Sequence, residues 1–121
     1  MAIIPIYNSK GDPDAFMEYP HIFNRNGDWV GWVTQKREIY AADGMYVGYL
    51  TNDPRILRKR ATSALKPRLE PPAAPKRIYP PATLPLAPLM SELAPGTIDV
   101  LLDEPERLHT LDVGELRADL D

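Results

Sequence analysis

A short pattern occurs three times in the first half of the chain, and its spacing leaves few folds open. Ile6-Tyr7-Asn8 leads to Gly11 and then Ala15-Phe16-Met17. Ile22-Phe23-Asn24 leads to Gly27 and then Val30-Gly31-Trp32-Val33. Ile39-Tyr40-Ala41 leads to Gly44 and then Val47-Gly48-Tyr49-Leu50. The aromatic residue recurs after 16 and then 17 residues, and a further step of 17 reaches Leu57 in Ile56-Leu57, a half-copy with no turn glycine behind it. A tandem pattern of this kind marks a supersecondary unit that cannot bury its apolar face alone, so the copies must pack side by side.

Each copy reads as a β-hairpin. Asn26-Gly27 and Asp43-Gly44 are the dipeptides favoured in two-residue type I′ loops, where both central residues need positive φ. Aromatic and β-branched residues on either side favour strands. With two-residue loops, Phe23 faces Val30, Ile22 faces Gly31, Tyr40 faces Val47 and Ile39 faces Gly48. Strand alternation then puts Tyr7, Phe16, Phe23, Val30, Trp32, Tyr40, Val47 and Tyr49 on one face. The other face carries Ile6, Ala15, Met17, Ile22, Gly31, Val33, Ile39, Gly48 and Leu50, together with Trp29 and Tyr46. Both faces are apolar, so something must cover the second one. Ala15, Gly31 and Gly48 share one slot, and small residues there allow close approach of backbones.

The run Ile-Tyr-x-x-x-Gly-x-x-Val-Gly-Tyr-Leu, repeated in tandem over residues 3–60, resembles the bacterial four-fold beta-flower domain. WG-type repeats are a looser resemblance. The first resemblance implies four hairpin petals around a pseudo-fourfold axis. It implies no defined activity and carries over no functional residues. The chain departs from the pattern at Pro13-Asp14 in the first copy and at Ala61, where the fourth copy lacks its glycine. Lys76-Arg77-Ile78-Tyr79 echoes Lys36-Arg37-Glu38-Ile39-Tyr40 and is the expected completion of the fourth petal.

Nine of the 14 prolines fall between Pro67 and Pro95. Each removes an N–H donor and fixes φ, which excludes helix interiors and central strands. Pro71-Pro72, Pro80-Pro81, Pro85 and Pro88 favour an extended polyproline II path. A helical turn is expected over 61–66, a short helix over 88–94 and a short strand from Ile98 to Leu102. From Thr110 onward, Val113, Leu116 and Leu120 give a short acidic amphipathic helix. The expected fold is therefore all-β: tandem β-hairpin repeats forming a small pseudo-fourfold flower, then a proline-rich extended segment and a short acidic C-terminal helix. The domain reading is a hairpin-repeat domain at 1–60, a basic then proline-rich arm at 61–95, and an acidic tail at 96–121.

Charge is blocked along the chain. Residues 1–53 carry a net −3, residues 54–77 a net +7 and residues 96–121 a net −6. A basic arm and an acidic tail suit self-association or a charged partner. The absence of cysteine excludes disulfides and thiolate zinc sites. No stretch approaches the roughly 20 apolar residues of a membrane-spanning helix, and the N-terminus lacks a signal-peptide pattern. These features lead to the expectation of a cytoplasmic protein.

No reaction is legible. His21 and His109 are far apart in sequence and form no metal or acid–base constellation. The glycines are spaced for turns and not for a phosphate cradle. Asp99, Asp103, Glu104 and Glu106 lack the spacing of a calcium loop. No catalytic residue, cofactor or metal is expected. The sequence reads as a non-enzymatic structural or protein-interaction module. Its tail would dock on its own domain, a sister subunit or a partner protein. The candidate contact residues are Trp29, Trp32, Tyr46, Tyr49, Arg58, Lys59 and Arg60. The alternative is a nucleic-acid module in which the basic arm at 55–77 meets phosphates and aromatics stack on bases.

Overall fold

Glycine turns fold the β-forming runs back on themselves and so set the whole architecture. The computed structural model describes residues 3–60 and 67–110. Its strands are β1 (Ile4–Tyr7), β2 (Pro13–Glu18), β3 (His21–Asn24), β4 (Trp29–Val33), β5 (Glu38–Ala41), β6 (Tyr46–Leu50), β7 (Ile56–Lys59) and β8 (Thr97–Asp99). A four-residue helix α1 (Val100–Asp103) and a 3-10 turn (Pro105–Arg107) follow. The strands form one sheet in sequence order, each antiparallel to the next. The fold is all-β, and β1–β2, β3–β4, β5–β6 and β7–β8 are its four petals.

The petal tips are not two-residue type I′ loops. Gly27 N–H donates to the Asn24 carbonyl, and Asn24 N–H donates to the Asp28 carbonyl. The same pair of bonds links Gly11, Asn8 and Asp12, and also Gly44, Ala41 and Met45. These are three-residue loops in which a type I turn ends in one left-handed residue. Only the glycine takes positive φ, 90° at Gly11, 88° at Gly27 and 93° at Gly44, so Asn26 and Asp43 are spared that strain. Asn24 Oδ1 accepts from the N–H groups of Asn26 and Asp28, which stiffens the second tip.

The longer loop inserts one residue into the second strand of each of the first three petals, and this corrects the expected faces. Ile22 does pair with Gly31, but Phe23 pairs with Trp29, which leaves Val30 as a bulge. Ile39 pairs with Gly48 and Tyr40 with Tyr46, leaving Val47. A bulge resets the alternation that strict period-2 counting assumes. Val30 and Val47 therefore join the isoleucine core, with Ile6, Ala15, Met17, Ile22, Val33, Ile39, Leu50 and Ile56. Trp29 and Tyr46 move to the opposite cluster, with Phe23, Trp32, Tyr40 and Ala42.

Ile6, Ile22, Ile39 and Ile56, one from each petal, are completely buried. Each contributes on the order of 2 kcal/mol through removal of its side chain from water. A Cβ at Gly31 would lie 2.3 Å from the Tyr40 carbonyl oxygen, and one at Gly48 would lie 2.3 Å from that of Leu57. The small-residue slot is thus where one petal's strand meets the backbone of the next petal. The isoleucine face is covered by Val100 and Leu101 of α1 and by Leu108. On the aromatic cluster, Ile78 of the proline-rich arm packs from the other side.

The fourth petal is completed by β8, whose Thr97, Ile98 and Asp99 pair with Lys59, Arg58 and Leu57. Lys76–Tyr79 forms no strand. The arm is accordingly an insertion within a hairpin, between its two strands. The strand expected at Ile98–Leu102 stops at Asp99, because Asp99 caps α1 by accepting the Leu102 N–H on its side chain. Residues 88–94 form no helix. Seven residues between prolines make too little helix to stand alone. The helical turn expected at 61–66 and the helix expected from Thr110 through Leu120 lie outside the described residues, apart from Thr110 itself, which is not helical.

Candidate functional site

The turns of the second and third petals present carbonyls that the arm meets in a regular way. Leu69 N–H donates to the Gly44 carbonyl at 3.0 Å, and Ile78 N–H donates to the Gly27 carbonyl at 3.0 Å. The residue before each is an arginine. Arg68 Nε donates to the Asp43 carbonyl at 2.6 Å. Arg77 Nε and Nη2 donate to the Asn26 carbonyl at 3.0 and 2.7 Å. Arg77 also approaches the Asp28 carboxylate at 3.6 Å. The two contacts are the same device, used nine residues apart on the arm and 17 residues apart on the petals.

The spacing continues in both directions. Nine residues before Leu69, Arg60 N–H donates to the carbonyl of Gly96, the fourth tip's positive-φ glycine. Nine residues after Ile78, Ala87 lies against the first tip, with its Cβ 3.7 Å from where a Gly11 Cβ would stand. The arm's hydrogen bond at that petal comes from the Tyr7 hydroxyl, which donates to the Pro85 carbonyl at 2.8 Å. Among the described residues the chain therefore meets the four tips in the order fourth, third, second and first, once every nine residues. A side chain at Gly27 would place Cβ 1.9 Å from the Ile78 carbonyl oxygen, and one at Gly44 would place it 2.2 Å from that of Leu69. The glycines thus serve both turn and contact.

Where the arm returns, Arg55 ties three segments together. It is buried, and its guanidinium donates to Asp53 Oδ2 at 3.0 Å, to Ser9 Oγ at 2.9 Å and to the Ser91 carbonyl at 3.0 Å. Beside it, the fully buried Asp99 accepts the Ser9 N–H at 2.6 Å, and Tyr7 N–H donates to the Pro54 carbonyl. These bonds join the first petal to the fourth. Burial of Asp53 opposes its ionisation. The hydrogen bonds from Thr51 and Arg55, with the Arg55 charge, outweigh that and hold its pKa below the ordinary carboxylate value. At Glu104, burial is likewise outweighed by the hydrogen bond from Arg58 and the charges of Arg107 and Arg58. Both carboxylates support the fold above the usual carboxylate range, and that support is lost as pH falls through their depressed values.

The 4-fold beta flower family model matches residues 4–97, from the first residue of β1 to the first residue of β8. The chain is a 4-fold beta flower protein. No curated protein and no solved structure matches it. The matched span runs from the first petal across the arm to β8.

The sequence-predicted contact residues occupy different surroundings in the flower. Trp32 stacks on Tyr40 with centroids 5.5 Å apart, and Tyr40 meets Tyr46 edge-on at 5.6 Å. Trp29 sits edge-on to His21 at 6.0 Å. Trp29, Trp32 and Tyr46 are all buried. Tyr49 is half-buried and lines a groove of about 520 Å³ with Asp53, Arg55, Leu57, Leu89 and Leu93. Arg58 is buried and paired with Glu104. Lys59 and Arg60 are exposed at the end of β7. His109 stands 3.3 Å from Asp43 at the third tip, remote from His21 in the chain. No group of three or more metal-ligating side chains comes together among the described residues. No helix among them is long and apolar enough to cross a membrane.

Sequence reading missed Arg68, Leu69, Arg77 and Ile78 as contacts, and Arg55 and Asp99 as ties. The first four had a signal. Arg68-Leu69-Glu70-Pro71-Pro72-Ala73 and Arg77-Ile78-Tyr79-Pro80-Pro81-Ala82 are two copies of one phrase. Arg55 and Asp99 had none, since only the closed ring brings them beside Ser9.

Proposed function

We propose that this beta flower is a non-enzymatic structural and protein-interaction module whose proline-rich arm docks on its own petals. The observation that carries the reading is the repeated contact: an Arg-apolar pair on the arm meets a tip carbonyl and its glycine carbonyl at two successive petals. An extended, proline-stiffened segment loses little conformational entropy on docking, so few bonds suffice to hold it. The petals act as a rigid frame, and the arm is the part offered to partners. The absence of cysteine accords with a reducing compartment, and we place the protein's action in the cytoplasm. The basic residues support protein contact better than nucleic-acid binding, because Arg55 and Arg58 are buried in ion pairs while Arg68 and Arg77 face tip carbonyls.

Amide hydrogen exchange tests the reading. The Leu69 and Ile78 amides are expected to exchange at least about tenfold more slowly than their exposed arm neighbours, and Arg77→Ala is expected to release Ile78 while leaving β3–β6 protected. Equal, fast exchange at Leu69 and Ile78 would remove the basis for docking. Light scattering on the same sample distinguishes docking in cis, which gives a monomer, from docking on a sister subunit.

A further inference from the structure

The four tips are not equally well served. At the second tip, Arg77 lies against the Asn26 carbonyl and the Asp28 carboxylate, and Ile78 bonds Gly27. The first tip has the same parts in the same order: Lys10 for Asn26, Gly11 for Gly27 and Asp12 for Asp28. Gly11 and Gly27 have nearly the same positive φ, 90° and 88°. The arm, however, brings Leu86 to the place of Arg77 and Ala87 to the place of Ile78. Leu86 is 95% exposed, so it makes no use of the position. Among the described residues, Asp12 is an exposed carboxylate with no ion pair, and no arm amide bonds the Gly11 carbonyl.

An acceptor pair and a carboxylate that receive an arginine at one petal are thus left with a leucine at another. We propose that the first tip, Lys10-Gly11-Asp12, is a binding site for a partner protein's extended Arg-(Ile/Leu)-x-Pro-Pro segment, which displaces the chain's own Leu86-Ala87. This rests on the reading of the tips as docking sites. The chemistry is the one already used within the molecule. The guanidinium would reach the Lys10 carbonyl and Asp12, the apolar residue's N–H would reach the Gly11 carbonyl, and the prolines keep the segment extended. A second copy is not the occupant, since its Arg68 and Arg77 segments are engaged on its own third and second petals.

The test is a titration of isotope-labelled full-length protein with a synthetic peptide of the sequence Pro75–Thr83. Saturable shifts are expected at Lys10, Gly11 and Asp12. Replacing the peptide's arginine with alanine should weaken binding about tenfold or more, the usual loss for a charge-assisted hydrogen bond. Asp12→Asn in the protein should weaken it several-fold. Leu86→Arg, at an exposed position that leaves folding intact, gives the arm its own arginine and should abolish binding in trans. Shifts confined to the second or third tip, no saturable shifts, or undiminished binding to L86R would overturn the proposal. A chain that dimerises through its own arm at the first tip would overturn the choice of a partner. If the Leu69 and Ile78 amides stay protected while the peptide fails to bind, only this inference falls and the docking reading stands.

Discussion

The petals and the arm are both repeats, but they are held by opposite means. The petals are held by a continuous ladder from β1 to β8 around four fully buried isoleucines. The arm has one backbone hydrogen bond at each of two tips, with prolines between and most of its residues exposed. Apolar burial makes the petals cooperative, because each isoleucine touches the others' surroundings and none can be loosened alone. The arm's contacts are local and share no core. Such contacts open one at a time, with free energies well below that of global unfolding. The difference teaches which part of the molecule is frame and which is adjustable.

The sharpest way to break the comparison is to attack the frame. Ile39→Ala is expected to cost about 4 kcal/mol, transfer plus cavity, and to release petals and arm together in one denaturation transition. Two separate transitions, petals and arm, would show that the arm is not carried by the frame. Arg55→Ala comes next, at about 3 kcal/mol, since it leaves Asp53 without its buried partner and unties Ser9 and Ser91. Its chemical denaturation midpoint should fall without loss of the repeat's β-sheet signal in the absence of denaturant.

Smaller changes sharpen the comparison. Gly27→Ala and Gly11→Ala each force a left-handed alanine, costing about 1 kcal/mol. Only at Gly27 does the new methyl also collide with the arm, at the Ile78 carbonyl; at Gly11 it meets Ala87 at ordinary contact distance. Limited trypsin digestion after Arg77 should therefore quicken in Gly27→Ala and stay near wild type in Gly11→Ala. Equal rates would mean that the arm does not sense the tip. The smallest effect concerns His21. Burial lowers its pKa below 6.5, and the Glu18 charge offsets part of this. The unfolded chain then takes up a proton more readily, so stability should decline as pH falls below about 6.5. His21→Gln should flatten the thermal-stability profile over that range, and a profile identical to wild type would exclude His21 as the cause.

The hairpins, their order and the need for a small residue at Gly31 and Gly48 were all legible in the sequence, because β-formers and turn glycines act locally. The faces were legible only in part. Asn26-Gly27 suits a two-residue loop as well as a three-residue one, and the choice decides whether Val30 or Trp29 faces the isoleucines. The partner of β7 was not legible, since 37 residues separate Lys59 from Thr97 and nothing local in Thr97-Ile98-Asp99 names its neighbour. The arm's contacts were visible as a repeated phrase. Lys76–Tyr79 resembles Lys36–Tyr40 in composition alone, whereas its match in contact and in sequence is Arg68-Leu69, nine residues upstream.

Because the arm lies inside the fourth hairpin, both of its ends are anchored in the sheet, and its continuity is a separate matter from its contacts. A single cut after Arg77 divides the chain into a fragment bearing seven strands and a fragment bearing β8 and α1. The second carries Val100 and Leu101, both packed into the isoleucine core of the first. The domain is in this sense a natural case for fragment complementation, in which two peptides reassemble one core without a bond between them.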